Sequence, residues 1–335
     1  MLKLFRTNTW WNAVVPQVLG WMYMCMREET TQDVSFTKEL ALFFFVALIS
    51  ISVFGYLFND LCDVESDAKA GKKNALGKFP FVVRLAIVAV PLAIGLLVWY
   101  YIRAGIVANV LFGLQILALV LYSLLPFRLK ERSALGVVAD AFYGHINPVM
   151  ITLFTFGFDL GKIVEVVFLS ILLVCLVLKG IRNILLHQLD DRSNDKRAGV
   201  QTFVVKNGAY PTLLFVNNLL PFEVFFTLAL ALFMGYYNPP FFVWTLLFFI
   251  ITYFKFSGWK LRDLPKRQLK FKFLYFLNDY YEGWVPVFFL IILCISQPQL
   301  SFLLILHLIL FPGFVTKLWG DIKTIRENFK TEDDY

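Results

Sequence analysis

Charge is scarce in this chain. Only 16% of its 335 residues are Asp, Glu, Lys or Arg, against about 25% in soluble domains, which excludes a water-soluble globule. Low-complexity stretches are missing, and no linker is long enough to announce a second soluble domain. Residues 1–335 are therefore expected to form a single transmembrane domain with a polar C-terminal tail at 316–335. Cysteines number four, Cys25, Cys62, Cys175 and Cys294, and three of them sit in apolar runs. Without metal-like spacing they argue against a disulfide framework or a zinc site and read as small hydrophobes. A cleavable secretion signal is not evident either, because the first apolar run is followed by Arg27, Glu28 and Glu29 and not by small residues. The first helix is expected to stay.

What the chain has in abundance is hydrocarbon: 59% hydrophobic residues, 37 of them Phe, and a mean hydropathy of +0.69. A membrane span takes roughly 20 mostly apolar residues. Windows near 9–27, 37–58, 80–102, 105–125, 134–157, 163–186, 210–234, 239–256 and 280–297 qualify, with a possible tenth at 299–315. Backbone groups must pair internally in lipid, which leaves helices or a closed barrel. These runs are twice the length of a barrel strand and lack its alternation. The fold class is all-α, a polytopic membrane bundle of about nine transmembrane helices.

The net charge of +7 does not point to nucleic acid in such a protein; the position of Lys and Arg reports sidedness instead. Basic loops fall at 59–79, 126–133, 187–209 and 255–272, each two spans from the next, while GFDLG (157–161) and GYYNPP (235–240) carry little positive charge. The basic loops and the N-terminus, with Lys3 and Arg6, are thus expected inside, in an integral protein of the cell's inner or plasma membrane. A tenth span would return the basic segment 317–330 to the cytoplasm, and nine spans would leave it outside. The tail is expected inside.

Two acidic patches stand at span ends. NDLCDVESDAKAG (59–71) follows the second span, and HQLDDRSNDKRAG (187–199) follows the sixth. Asp63, Asp67, Ala70 and Gly71 recur 128 positions later as Asp191, Asp195, Ala198 and Gly199, with Gln188 where Asp60 stood. Positions i, i+3 and i+7 share a helix face, so Asp60, Asp63 and Asp67 converge, as do Asp191 and Asp195 with Gln188. Four intervening spans return the chain to the same side, so the clusters can face each other across one cytoplasmic cavity. Carboxylates crowded together repel unless neutralised, and Mg²⁺ is a natural counterion, typically held by one or two carboxylates plus substrate phosphates. A lone Asp at a span end would merely mark the water boundary; two matching triplets in register argue for more. Glu65, Ser66, Asp190, Arg192 and Ser193, between the motif positions, are read as solvated.

These patches resemble the signatures of the UbiA superfamily of intramembrane prenyltransferases, N-D-x-x-D-x-x-x-D after the second helix and D-x-x-D-x-x-x-D after the sixth. Asn59, Asp60, Asp63 and Asp67 complete the first; Gln188, Asp191 and Asp195 stand for the second, with Gly199 and Thr202 continuing a familiar G-x-x-T ending. YSLLPFRLK, after the fourth span, supplies counterparts of the family's tyrosine and basic residues in Tyr122, Arg128 and Lys130. The resemblance covers roughly residues 5–300. It implies nine helices around a central cavity, two Mg²⁺ ions and a polyprenyl diphosphate donor. Gln188, in place of the usual aspartate, with His187 before it, lowers the negative charge of the second motif.

On this resemblance the metal ligands are Asp60, Asp63, Asp67, Gln188, Asp191 and Asp195. Asp60, Asp63, Asp191, Arg182, Lys130 and Tyr122 are the catalytic candidates, and Asn59, Lys72, Arg128, Lys179 and Lys196 the donor-binding ones. Metal ions at the leaving oxygens act as Lewis acids on an allylic diphosphate, and Lys or Arg nearby would add to that; Lys73 is a further candidate. Each basic residue could equally be a positive-inside anchor. Lys179 and Arg182 are the strongest, because charge inside a span is expensive and usually functional. The abundant aromatics could line an apolar channel for the isoprenoid, although lipid contact and core packing use the same residues.

For the acceptor, Asp140, Tyr143, His145 and Asn147 interrupt the fifth span, and 140, 143 and 147 fall on one helical face. This face is expected to touch the acceptor or its leaving proton, the alternative being interhelical hydrogen bonding. Asn217, Asn218, Glu223, Asn278, Asp279 and Glu282 are weaker candidates. The acceptor itself, whether aromatic, quinone precursor or lipid-like, is not legible. A terpene cyclase or phosphoribosyl transferase on the same fold stays open. A CDP-alcohol phosphotransferase would need D-G-x-x-A-R, which is missing, and a transporter would place its carboxylates near the midplane.

Overall fold

The computed structural model describes residues 10–28, 34–69, 71, 73–257 and 273–330. Lys72, Ala70 and most of the basic loop 255–272 lie outside the described residues. Among those described there is no strand, only an isolated parallel bridge between Ser133 and Thr202. The helices are α1 (Val14–Glu28), α2 (Val34–Lys69), α3 (Phe81–Ile102), α4 (Ile106–Ser123), α5 (Ala134–Thr155), α6 (Ile163–Ala198), α7 (Ala209–Tyr237), α8 (Pro239–Ser257), α9 (Phe276–Ser296), α10 (Phe302–Leu310) and α11 (Gly313–Lys330).

Eight of these, α2 to α9, are long and apolar enough to cross a membrane. The segments Pro298–Leu310 and Gly313–Asn328 pass that test only as a pair, and they are bent by 67°, so the tenth window exists as a broken helix. Helix α1 fills the first window with 15 residues, shorter than the roughly 20 of a full span. It is buried within the bundle, where Trp21 packs on Phe289 of α9 with ring centroids 5.7 Å apart. On the outside, Phe81, Val82 and Leu97 of α3 and Phe222 and Phe225 of α7 are exposed, which is stable only against hydrocarbon.

Helices α2 and α6 are each 36 residues long, about 54 Å at 1.5 Å per residue, against a hydrocarbon thickness of about 30 Å. Each therefore runs beyond the membrane, and its protruding turns carry an acidic motif. A glycine in the same conformation follows both helices. Gly71 and Gly199 take φ of 68° and 72°, the left-handed conformation that lets a C-terminal residue turn its N–H back onto the last helical carbonyls.

Two of the helices contain a π-turn, Phe142–Ile146 in α5 and Tyr280–Trp284 in α9. One extra residue per turn rotates everything downstream relative to an α-helical register, and such bulges concentrate at functional sites. Close contact between α5 and α6 rests on Gly180, where a Cβ would lie 2.7 Å from the Ala141 Cβ.

Candidate active site

The protruding ends of α2 and α6 wall a single cavity of about 710 Å³. Asp63 and Asp67 line it from the first motif, and Gln188, Asp191 and Asp195 from the second. Arg128 and Lys130 enter from the connection between α4 and α5. Lys130 Nζ stands 2.6 and 2.5 Å from the two carboxylate oxygens of Asp63, and Arg128 Nη2 donates to Oδ1 at 2.9 Å. Lys130 also donates to Asn59 Oδ1 at 2.8 Å, which in turn accepts from Ser123 of α4 at 3.0 Å. Asp67 accepts from Asn74 Nδ2 at 2.9 Å, and the same amide donates to the Asp60 carbonyl at 2.8 Å, tying the loop after α2 onto its own motif. His187 Nε2 lies 3.5 Å from Asp191 Oδ2. All five motif donors are oxygens, four of them carboxylate groups, and this set fits a hard divalent cation.

The connection that delivers Arg128 and Lys130 is tightly specified. Arg128 has φ of 38°, a left-handed conformation that a non-glycine residue adopts at a cost of roughly 1–3 kcal/mol and that concentrates at functional sites. Its side chain is held by Asp63 and by Glu131 at 2.8 Å. A single 3₁₀ turn, Leu129–Glu131, follows and rests directly on Gly136 of α5, where a Cβ would meet the Leu129 carbonyl at 2.7 Å and the Lys130 carbonyl at 3.1 Å. The bridge from Ser133 to Thr202 then joins this connection to the segment after the second motif. Thus the G-x-x-T ending has a mechanical role: Thr202 anchors the loop of Arg128 and also caps the next helical turn by accepting from Val205 N.

The sequence matches the model of the UbiA prenyltransferase family over residues 13–278, well over half of the chain. It belongs to that family. Membership sets the reaction class as prenyl transfer. The fold is similar to that of a UbiA homolog from Archaeoglobus fulgidus solved with DMAPP and Mg²⁺, at 17% identity and a TM-score of 0.58, covering 84% of this chain and 96% of that one. It is likewise similar to a second structure, solved with GPP and Mg²⁺, at 16% identity and a TM-score of 0.59, covering 85% and 97%. No curated protein sequence matches the chain significantly.

Several expected site residues of this UbiA family member lie elsewhere. Asp60 is 1% exposed and does not line the cavity, so only two carboxylates of the first motif reach it. Lys196 is exposed and also off the cavity wall. Lys179 and Arg182 are fully buried away from the cavity, because charges in a bundle interior must pair. Arg182 makes a two-pronged pair with Glu223 of α7, at 2.6 Å from Nε and 2.9 Å from Nη2, and donates to Asn278 Oδ1 and the Leu274 carbonyl at 2.8 Å each. Lys179 pairs with Glu282 of α9 at 3.0 Å and donates to Gln17 of α1. The network reaches the cavity through Asn278, Glu282 and Asn183, whose Oδ1 accepts from Arg182 Nη1 at 3.2 Å. Tyr275, in the turn before α9, has its phenol held above the ordinary range, chiefly by burial and further by the Asp190 carboxylate.

On α5 the π-turn divides the expected polar face. Asp140, Tyr143, Gly144 and His145 line the cavity, with Tyr143 donating to Asp140 Oδ2 at 2.7 Å and packing edge-on against Tyr122 with centroids 5.0 Å apart. Asn147 turns away, fully buried, and donates to Gln115 Oε1 and the Leu111 carbonyl of α4 at 2.8 and 2.9 Å. It is an interhelical bond. His145 approaches Asn183 at 3.5 Å, and its Nδ1 has no hydrogen-bond partner among the described residues. Ser66, read as solvated, lines the cavity and accepts from Arg128 at 3.3 Å. Asn74 carries no sequence signal, because it sits in a loop without periodicity, whereas Gln17, a lone amide in an apolar run, does.

Proposed function

We propose that this chain moves a prenyl group from a polyprenyl diphosphate to an aromatic, quinone-precursor or lipid-like acceptor, with the diphosphate bound between the two acidic motifs. The observation that carries this is the single cavity that has Asp63, Asp67, Asp191 and Asp195 at one end and Ile51, Trp99, Phe112 and Ile151 along the rest. Such a chamber suits a ligand with a highly charged head and a hydrocarbon tail. Trp99 and Phe112 stack at 4.1 Å, presenting a flat apolar wall. The archaeal homolog of the same fold is described bound to DMAPP or GPP with Mg²⁺, ligands of this kind.

Asp63, Asp67, Gln188, Asp191 and Asp195 would hold Mg²⁺, and Asp60 is left out because it does not line the cavity. Among the described residues no three His, Cys, Asp or Glu side chains form a metal cage by themselves, so an ion here would need substrate phosphates to complete its coordination. When bound, the metal supplies Lewis acidity that neutralises the departing diphosphate. Arg128 and Lys130 hold fixed positive charge at the same end, in a partly buried site where it acts more strongly than in water. Asn59 orients Lys130. Asp140, Tyr143 and His145, with Tyr122 behind them, receive the acceptor and its proton; the open Nδ1 of His145 is one contact for it. The basic loops flanking the motifs support a cytoplasmic orientation for this end of the cavity.

The test is pyrophosphate release from radiolabelled farnesyl or geranylgeranyl diphosphate by the purified chain in lipid vesicles with Mg²⁺ and a panel of acceptors. Asp63→Asn and Asp191→Asn are each expected to lower release by at least about a hundredfold. Release that is indifferent to Asp191→Asn, or none from any donor, would refute the reading. Release without any acceptor would indicate cyclase chemistry.

A further inference from the structure

We propose that α11 lies along the membrane surface at the edge that carries the acidic motifs, with one of its stripes in the headgroup layer of anionic lipid. The helix begins beyond the family match, which ends at residue 278.

Its contacts give its direction. Lys317 pairs at 2.5 Å with Asp279, in the first turn of α9, and Asp321 pairs at 2.6 Å with Lys255, in the last turn of α8. Further along, Asn328 donates to the carbonyls of Phe254 and Lys255 at 3.5 Å. The end of α8 and the start of α9 lie at the edge where Asn278 and Glu282 reach the cavity. A helix crossing the membrane would advance about 16 Å over the 11 residues from 317 to 328 and leave that edge behind. Instead both points stay on it, and the 67° bend after Leu310 accounts for the turn.

The helix also has three faces where an ordinary surface helix has two. Phe314, Leu318 and Ile325 are partly buried on the side toward the bundle, and Phe314 packs on Trp284 with centroids 5.7 Å apart. Thr316, Lys323 and Glu327 are exposed on a polar side. Between them runs an exposed stripe at i, i+4, i+7 and i+11: Val315, Trp319, Ile322 and Arg326. Trp319 is 73% exposed. Protein, water and lipid each claim one side. Trp at such a depth and a flanking arginine are the residues that anchor helices in the interface, and an arginine within the stripe calls for phosphate of a negatively charged lipid. The preceding helix continues the pattern, since Phe302, Ile305 and Ile309 of α10 are exposed.

The experiment attaches an environment-sensitive fluorophore, through a non-natural residue, at position 322 or 327 of the full chain in nanodiscs. Lipids spin-labelled near the headgroup should quench the probe at 322 more than lipids labelled near the acyl terminus, while soluble iodide should quench only the probe at 327. Headgroup quenching at 322 should be stronger in phosphatidylglycerol than in phosphatidylcholine discs, and Arg326→Glu should remove that difference. Equal iodide quenching at both positions would mean a water-facing helix and overturn the proposal. Strongest quenching of 322 by the acyl-terminal label would mean a span, shielding of 322 from every quencher would mean a second copy covers it, and indifference to lipid charge would overturn the anionic partner.

Discussion

Gly136 carries no functional group, yet its replacement should weaken catalysis. A Cβ at this position would lie 2.7 Å from the Leu129 carbonyl oxygen and 3.2 Å from the Lys130 Cα, where ordinary contact begins at 3.4 Å. Because both neighbours are backbone, no side chain can swing aside, and the 3₁₀ turn must withdraw by about 0.7 Å, the gap between 2.7 and 3.4 Å. Overpacking of this kind costs roughly 1–3 kcal/mol. The same withdrawal acts on Lys130, whose ammonium stands 2.5 Å from Asp63, and on Arg128, already in a left-handed conformation. Misplacement by about 1 Å can cost on the order of a hundredfold in rate, so a shift of this size predicts a loss of roughly ten- to thirtyfold. Gly136→Ala is therefore expected to lower both the melting temperature and kcat for pyrophosphate release, with the donor KM changing less. Gly113→Ala is the control: nothing lies within 4 Å of its Cβ, and alanine is the better helix former by up to about 1 kcal/mol, so stability should hold or rise. Wild-type melting and wild-type kcat in Gly136→Ala would show that the turn does not rest on α5 as described.

The buried Arg182–Glu223 pair makes a second prediction. Arg182→Met alone, leaving a carboxylate that is fully buried, should cost about 3–5 kcal/mol, whereas Arg182→Met with Glu223→Leu should recover most of it; thermal unfolding in detergent measures both, and equal destabilisation of the single and double variants would contradict it. Asp140→Asn changes the partner of the Tyr143 hydroxyl, so the acceptor KM should rise roughly tenfold, about one hydrogen bond, with the donor KM unchanged; an unaltered acceptor KM removes Asp140 from the acceptor site. Asp60 and Asp67 should behave differently. Asp67→Asn, on the cavity wall, should raise the Mg²⁺ concentration needed for half-maximal turnover. Asp60→Asn, off that wall, should act mainly on the melting temperature, and the opposite pattern would exchange their roles.

The amino-acid sequence by itself determined the class of fold, the order of the membrane helices and the two acidic motifs, because each is written in local order. An apolar run declares a span wherever it sits, and i, i+3, i+7 spacing declares a helix face. The Ala-Gly endings at 70–71 and 198–199 are local as well, and Gly71 and Gly199 do follow their helices in the left-handed conformation. Tertiary structure alone decided which of these residues meet. Arg182 finds Glu223 and Asn278, 41 and 96 positions away, and Lys179 finds Gln17, 162 positions away. No periodicity encodes such partners, and it is the expense of a bare charge in the bundle that drew Lys179 and Arg182 into them and off the cavity wall. The π-turn at 142–146 did the rest: one added residue rotated Asn147 onto Gln115 and left His145 on the cavity wall, a change of register that only the packing of α5 against its neighbours could select.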